Sequence, residues 1–252
     1  MDLWKNTIII VTADHGEMGG AHGGLRGKGP MAYEENVHIP LIIAHPDGGH
    51  GIKMNVLTSH LDLLPTITGF TGLPASQLDP VLRNFPGHNF SQLLTSAKTD
   101  NIHAVRAGVL FNYVGISTID GKYLLKTLTN STTHKTLPPL TEVDMHKRGF
   151  LASVFDGRYK YARYYSPSAF NMPQTLEDIF KYNDVQLFDL QNDPDEAINL
   201  ALNPEKNKDL ILKMNALLNT LMAEEIGEED NDGDFLPQVI QSRAHTIDLT
   251  SH

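Results

Sequence analysis

Cysteine is absent from the 252-residue chain, which excludes disulfides, zinc–thiolate sites and a cysteine nucleophile within it. Long apolar runs are also absent. The longest run, residues 7–12 (TIIIVT), is far too short to span a bilayer, and no basic secretory segment precedes it. We therefore predict no membrane span, and the chain shows no signal peptide that would define its compartment.

Positive charge is scarcer than negative charge. The chain contains 20 Lys and Arg residues and 30 Asp and Glu residues, which gives a formal net charge of -10. An excess of this sign disfavours nonspecific binding to nucleic acid or to an anionic membrane. We predict neither as a partner. Apolar residues make up 40% of the chain, which suits a globular core in one large domain or in a main domain with an appendage.

The first hundred residues carry patterns typical of an α/β sheet. Residues 7–12 are β-branched and do not alternate, which predicts a strand covered on both faces in a parallel sheet. Residues 39–44 predict a second strand, with Pro40 tolerated near its start. A glycine-rich loop separates the two. Ser59 and Asp62 then form a capping-box pattern that predicts the start of a helix.

The rest of the chain favours antiparallel structure. Asp-Gly pairs predict hairpins within residues 115–125 and 150–164, the polar stretch 127–140 predicts a loop, and apolar residues four apart from Leu210 onward predict a long amphipathic helix. Two further strands are predicted at residues 104–111 and 186–190. The fold class is therefore α/β, with an α/β sheet portion followed by a smaller antiparallel subdomain that carries a long helix. The predicted divisions are residues 1–100, 101–224 and an acidic tail, 225–252.

Asp14 and His15 follow the first predicted strand directly. Ligands collect beyond the carboxyl ends of strands in open α/β sheets, and a carboxylate with an imidazole there suits a divalent cation. Gly16 would allow the backbone to approach closely or turn sharply. The alternative is that Asp14 caps the following turn and His15 is an ordinary polar loop residue.

A second set of polar residues follows in the glycine-flanked segment 21–29 (AHGGLRGKG), which contains His22, Arg26 and Lys28. These side chains offer hydrogen bonds and positive charge to an oxyanion. A cation site beside basic side chains predicts an anionic substrate between them.

The strings IIIVTADHGE at residues 8–17 and GKGPMAYEENVHIPLI at residues 27–42, with His22 between them, resemble the sulfatases of the alkaline phosphatase superfamily. They are most similar to the arylsulfatase, choline-sulfatase and phosphonate monoester hydrolase branch. Identity, order and spacing agree over about forty residues. Weaker similarity continues through residues 58–66, 156–161 and 187–196.

The resemblance implies that Asp14 and His15 are metal ligands and that His22 and Lys28 are catalytic and substrate-binding residues, contacting the sulfate or the leaving-group oxygen. It places calcium first. His15 stands where many calcium-dependent sulfatases carry Asn, so manganese or zinc stays open. Arg26 has no clear equivalent in the family.

Family members also place a pair of aspartates and a Cys/Ser-x-Pro-x-Arg signature upstream, and neither occurs here. The resemblance therefore implies a C-terminal portion without the formylglycine nucleophile. It predicts an N-terminal half as a partner, a homo-oligomer through an exposed strand edge, and a sulfate ester as the substrate of the completed site. The alternatives are a phosphonate or phosphate ester hydrolase fragment and a catalytically silent remnant with weak metal or anion binding. Related bacterial enzymes are often periplasmic or secreted.

Three further expectations concern residues outside the site. Glu34 and Glu35 are predicted to begin a short helix with structural partners. The remaining histidines, His60 among them, are predicted to have solvent or structural roles. The basic residues of the second hairpin are expected on one outward strand face: Arg158, Lys160 and Arg163.

Overall fold

The computed structural model describes residues 3–49, 51–95, 99–169 and 172–227. Strands β1 (Ile9–Thr12) and β2 (Leu41–Ala44) form a two-stranded antiparallel sheet in which Val11 lies opposite Ile42. These two side chains share one face and are 50% and 61% exposed. The predicted parallel sheet covered on both faces is therefore wrong. Apolar β-branched runs specify a strand but not its direction, and the intervening loop here turns the chain back on itself.

The helix predicted after Ser59 is confirmed. The Ser59 hydroxyl accepts from the amide of Leu61 at 3.4 Å, and its own amide donates to Asp62 at 2.8 Å, which is a capping box. A short 3-10 turn, His60–Asp62, leads into α3 (Leu63–Phe70).

The larger sheet contains four antiparallel strands in chain order: β3 (Val109–Tyr113), β4 (Phe150–Phe155), β5 (Tyr159–Tyr165) and β6 (Asn183–Asp189). The hairpin predicted at residues 150–164 is confirmed, and Gly157 provides the left-handed conformation of its turn, with φ 98°. The strand predicted at 186–190 is also found. The strand predicted at 104–111 begins later than expected.

Helix α9 (Lys208–Glu225), which the apolar spacing predicted, packs on one face of this sheet. Met214 and Leu218 belong to the main apolar core together with Tyr161 and Leu187 of the sheet. Burying each such side chain contributes about 1.5–3 kcal/mol. The opposite face packs against Ala32, in the segment that follows the glycine-rich loop. The sheet therefore supports both the long helix and the region of the sequence motif.

The hairpin predicted at residues 115–125 is wrong. Helices α6 (Ile116–Ile119) and α7 (Gly121–Thr132) occupy this region, and Asp120 caps α7 by accepting from the amides of Lys122 and Tyr123 at 3.0 and 3.4 Å. Asp before Gly suits a helix N-cap as well as a turn, which explains the error. The loop predicted at 127–140 accordingly begins only after α7.

Shorter elements complete the described chain. No helix among the described residues is both long and apolar enough to cross a membrane. Most of the acidic tail lies outside the described residues, and the boundary near residue 100 stays a prediction. The remaining bounds are α1 (Ala21–Gly24), α2 (Glu34–Val37), α4 (Ala75–Leu82), α5 (Ser91–Thr95), α8 (Leu176–Tyr182) and the 3-10 turns Leu3–Lys5, Leu140–Glu142, Pro167–Ala169 and Leu200–Leu202.

Candidate active site

Asp14 and His15 lie just beyond β1, where the sequence places them. The His60 ring donates from Nε2 to the carbonyl of Ala13 at 2.8 Å and so fixes the end of the strand, a structural role as predicted. The Asp14 side chain is 83% exposed, and its Oδ2 lies 3.3 Å from Nε2 of His15. Carboxylate and imidazole donors are therefore presented together to solvent.

The tautomer of His15 follows from its neighbour. Its Nδ1 lies 2.6 Å from the carbonyl oxygen of Gly16, which can only accept, so Nδ1 carries the hydrogen and Nε2 holds the free lone pair. Metal-binding histidines commonly donate their second ring nitrogen to a backbone carbonyl in this way. Adjacent donor atoms around a cation lie about 3 Å apart. The pair Asp14 and His15 fits a divalent cation on both counts.

Gly16 is required by the close approach of two backbones. Its amide donates to the carbonyl of Asn36 at 2.9 Å, and a Cβ at this position would lie 1.9 Å from the carbonyl oxygen of Glu35. The predicted role of Gly16 in close backbone approach is confirmed. The site is thereby fixed to helix α2.

Lys28 returns to the site at the end of the glycine-rich loop, and its ammonium contacts Nε2 of His15. Glu17 closes this loop, because its carboxylate accepts from the amide of Gly27 at 2.6 Å and from that of Gly19 at 3.3 Å. Met18 is buried beneath the loop. The structure therefore brings Asp14, His15 and Lys28 together although 13 positions separate the last two.

His22 has different partners. Its Nε2 lies 3.2 Å from the Glu35 carboxylate, and its ring stacks on Tyr33 with centroids 3.8 Å apart. Its backbone is left-handed, with φ 49°. These contacts direct His22 towards α2, whereas the other three predicted site residues meet at the end of β1. Nδ1 is the ring atom that these contacts leave for a ligand.

Electrostatics favour the charged form of Asp14. The small burial of its carboxyl raises the pKa, but its own amide, His15 and Lys28 together outweigh this effect, so the pKa of Asp14 lies below its ordinary value. A deprotonated carboxylate is the form that binds a cation.

A buried ion cluster lies behind the site. Lys160 on β5 is 2% exposed, and its ammonium lies 3.0 Å from the carboxylate of Glu34 and 2.5 Å from that of Glu196. The amide of Glu34 also donates to Glu196 at 2.7 Å. Glu34 and Glu35 do begin α2 with structural partners, as predicted. Lys160 therefore joins α2 to the larger sheet.

The expectation that three basic residues share an outward strand face is wrong. Lys160 and Arg163 differ by an odd number of positions and so lie on opposite faces of β5, and both are buried. Arg163 donates to Asn215 of α9 at 3.0 Å. Arg158 alone is partly exposed, and it pairs with Asp189 at 2.7 Å. Both faces of this sheet are covered, which the hairpin sequence by itself does not reveal.

The pKa values of the two glutamates that share Lys160 are shifted in opposite directions. Burial raises the pKa of Glu34, but hydrogen bonds from His38 and Lys160 outweigh it and the net shift is downward. Burial raises the pKa of Glu196 more than Lys160 lowers it. The hydrogen bond to Glu34, 2.9 Å long, raises the pKa of His38 despite partial burial and the nearby charge of Lys160.

Sequence reasoning missed Glu196. One ligand atom each from His22, Glu35 and Glu196 lies within 4.8 Å of the others, and the three come from separate segments. Glu196 adopts an unusual positive φ of 50° and is buried. No local pattern could have joined these positions, because Glu196 lies far along the chain from His22 and Glu35. Lys160 already supplies positive charge to Glu196.

Comparison with known proteins agrees with the motif. Residues 2–73, which contain Asp14, His15, His22 and Lys28, match the model of the sulfatase family. Arylsulfatase K of Homo sapiens is 26% identical over 225 residues, covering 87% of this chain and 32% of its own length. The chain therefore spans about a third of the length of the curated relatives it matches.

Solved structures show the same fold. A 2-O GAG sulfatase aligns with a TM-score of 0.60 at 21% identity, over 92% of this chain and 39% of its own. The phosphonate monoester hydrolase of Agrobacterium radiobacter aligns with a TM-score of 0.60 at 23% identity, over 89% of this chain and 36% of its own. The family model, the curated relatives and the shared fold therefore agree with the resemblance of residues 8–42 to the sulfatases, and the chain is similar to part of the length of these proteins.

Proposed function

We propose that the protein is a metal-dependent sulfuric-ester hydrolase and that these 252 residues supply half of its metal and sulfate site. The observation that carries this proposal is the meeting of Asp14, His15 and Lys28 at the end of β1. Cation ligands beside a lysine ammonium suit an ester whose transition state concentrates negative charge on oxygen.

Asp14 and His15 would hold the cation through Oδ2 and Nε2. A bound divalent ion would supply Lewis-acid stabilisation of negative charge on the sulfuryl oxygens. Calcium comes first on family grounds, while the imidazole of His15 keeps manganese and zinc open. Two protein ligands make an incomplete site, so further ligands would come from outside these residues.

Lys28 would neutralise charge on the bridging oxygen or the sulfuryl group as the ester bond breaks. His22 would donate a hydrogen bond to the same group. Because Nε2 of His22 donates to the Glu35 carboxylate, this donation would use Nδ1 of the protonated imidazolium or require His22 to turn away from Glu35. The nucleophile would also come from outside these residues, since no Cys/Ser-x-Pro-x-Arg signature occurs in them. The 252 residues alone would therefore not turn over substrate.

The decisive assay measures aryl sulfate cleavage by these residues together with the polypeptide encoded immediately upstream. We expect hydrolysis that a chelator abolishes and that Lys28→Met lowers by about 100-fold or more, as for loss of one charge-stabilising donor. Arg26→Met, which removes an equal charge from the same loop, is the matched control and should change the rate little. A folded, metal-loaded protein without cleavage would contradict the proposal.

A phosphonate or phosphate ester hydrolase is the second candidate, because similar charge stabilisation serves phosphoryl transfer. The imidazole of His15 is compatible with it, since a nitrogen ligand suits manganese or zinc. Parallel assays with sulfate and phosphate esters of the same aryl alcohol decide between the two by their ratio of kcat/KM. A higher kcat/KM for the phosphorus ester would replace the first candidate.

A catalytically silent remnant is the third candidate. Calorimetric titration of the chain with calcium, manganese and zinc, with Asp14→Ala as the control, measures the residual binding expected of it. Binding that depends on Asp14, without turnover in the completed protein, would support the remnant. Turnover would exclude it.

A further inference from the structure

The ammonium of Lys28 occupies the place at which a divalent cation would meet His15. Nδ1 of His15 donates to the carbonyl of Gly16, so Nε2 is the only ring atom with a lone pair. Lys28 donates to this atom, and Oδ2 of Asp14 lies 3.3 Å from it. The lysine thus occupies the lone pair of His15 that the proposed metal site uses, beside the carboxylate of Asp14.

We propose that Lys28 is a built-in placeholder cation, which caps Nε2 of His15 beside Asp14 until a divalent ion displaces it. The inference rests on the proposed function and adds a regulatory step at the same site.

A metal ion that binds Nε2 of His15 would have to displace the ammonium of Lys28. An imidazole nitrogen has one lone pair, so an ammonium hydrogen and a metal ion cannot use Nε2 of His15 together. The carboxylate of Asp14 has several lone pairs and imposes no such choice. The competition therefore arises at His15.

Release of the lysine requires little rearrangement. Lys28 is exposed, and its long side chain rotates into water without opening the loop. The contacts of Glu17 with the amides of Gly19 and Gly27 hold the backbone on both sides of the turn in either state. The exchange would therefore be a side-chain movement on a fixed backbone.

The exchange would couple the binding of the cation to the binding of the anionic substrate. A displaced ammonium becomes available to an anionic group, so the cation would prepare the positive charge that the ester needs. By linkage, an anion that holds Lys28 away from His15 would strengthen cation binding by the same factor. Metal and anionic substrate would then bind with positive cooperativity.

Calorimetric titration of the 252-residue chain with Mn²⁺ alone tests the competition. Lys28→Met removes the competitor but also removes one positive charge, which by itself favours cation binding. Arg26→Met removes an equal charge from the same loop without touching His15, so it measures the charge effect separately. We expect Lys28→Met to lower the Kd about tenfold, and at least threefold more than Arg26→Met, as for loss of one hydrogen bond to a charged group.

Lysine acylation read by mass spectrometry provides a second measurement on the wild-type chain. Labelling of Lys28 should rise at least twofold when Mn²⁺ is added, because the amine leaves His15, whereas labelling of exposed Lys126 should not change. The placeholder would be overturned if Lys28→Met and Arg26→Met lowered the Kd for Mn²⁺ equally, or if the labelling of Lys28 did not change when Mn²⁺ was added. Mn²⁺ binding that still depends on Asp14 would in that case support the metal site without the placeholder. No Mn²⁺ binding by any variant at millimolar Mn²⁺ would refute the placeholder, whereas the metal site of the completed protein would still be decided by the aryl sulfate assay with a chelator.

Discussion

The exposed site at the end of β1 and the buried ion clusters around Lys160 and Arg106 use the same residue types for opposite purposes. Asp14 and Lys28 face solvent and can change partners. Arg106, by contrast, is buried and donates to Asp62 at 2.7 and 2.9 Å and also to Glu225. Charges that water reaches can exchange ligands at low cost, whereas buried charges must keep theirs. Burial thus separates groups suited to binding from groups that fix the fold.

The largest expected effect comes from breaking the Arg106 cluster. Arg106→Met leaves Asp62 and Glu225 buried without their cation and should lower the free energy of unfolding by about 3–5 kcal/mol. Urea unfolding measures the change. Arg148→Met is the control, because the pair of Arg148 with Asp184 is exposed and should contribute less than about 1 kcal/mol. Similar losses in both variants would remove the distinction between buried and exposed pairs.

Lys160→Met should have the next largest effect, about 2–4 kcal/mol, because Glu196 is fully buried while Glu34 keeps partial access to water. Adding Glu196→Gln should recover part of this loss, since it removes one of the two uncompensated charges. The same urea measurement applies. A double variant no more stable than the single one would show that Lys160 acts through packing and not through charge.

Gly16→Ala tests the close backbone contact between the exposed site and helix α2. A methyl group would collide with the backbone carbonyl of Glu35 and should cost about 1–3 kcal/mol in thermal or urea unfolding. Gly29→Ala is the control, because the nearest atom to its Cβ is the flexible end of Met31, at 3.1 Å. If both substitutions cost the same, the close approach at Gly16 is not what holds α2 to the site.

The smallest effect concerns pH. The pKa of His38 is raised in the folded protein, so its pairing with Glu34 contributes stability that is fully present below the unfolded pKa, about 6.5. This stability is lost as pH rises through the folded pKa. His38 is largely exposed, so the contribution should stay below about 1 kcal/mol. Urea midpoints between pH 5.5 and 8 should fall slightly for the wild type and less for His38→Gln, and parallel profiles would exclude the contribution.

Local chemistry explains what the sequence predicted well. The capping box at Ser59, the hairpin turn at Gly157 and the close approach at Gly16 each depend on residues within a short window or on one backbone conformation. The adjacency of Asp14 and His15 is likewise written in the chain. These features need no knowledge of what packs around them.

The failures came from tertiary context. Strand direction at Val11 depends on how a long loop returns, and burial of Lys160 depends on α2 covering the sheet. Asp120 suited a turn and a helix cap equally, and the chain that follows decided between them. The partner of Glu34 lies at position 196, so only the fold could identify it.

The glycine-rich loop before Lys28 carries a final consequence for motion. Its glycine content is typical of a flexible segment, yet Met18 is only 1% exposed and the carboxylate of Glu17 accepts a hydrogen bond from the amide of Gly27. The entropy of ordering this loop is therefore lost when the protein folds and not again when a ligand arrives. Ligand binding here would restrict little more than a few side-chain rotamers.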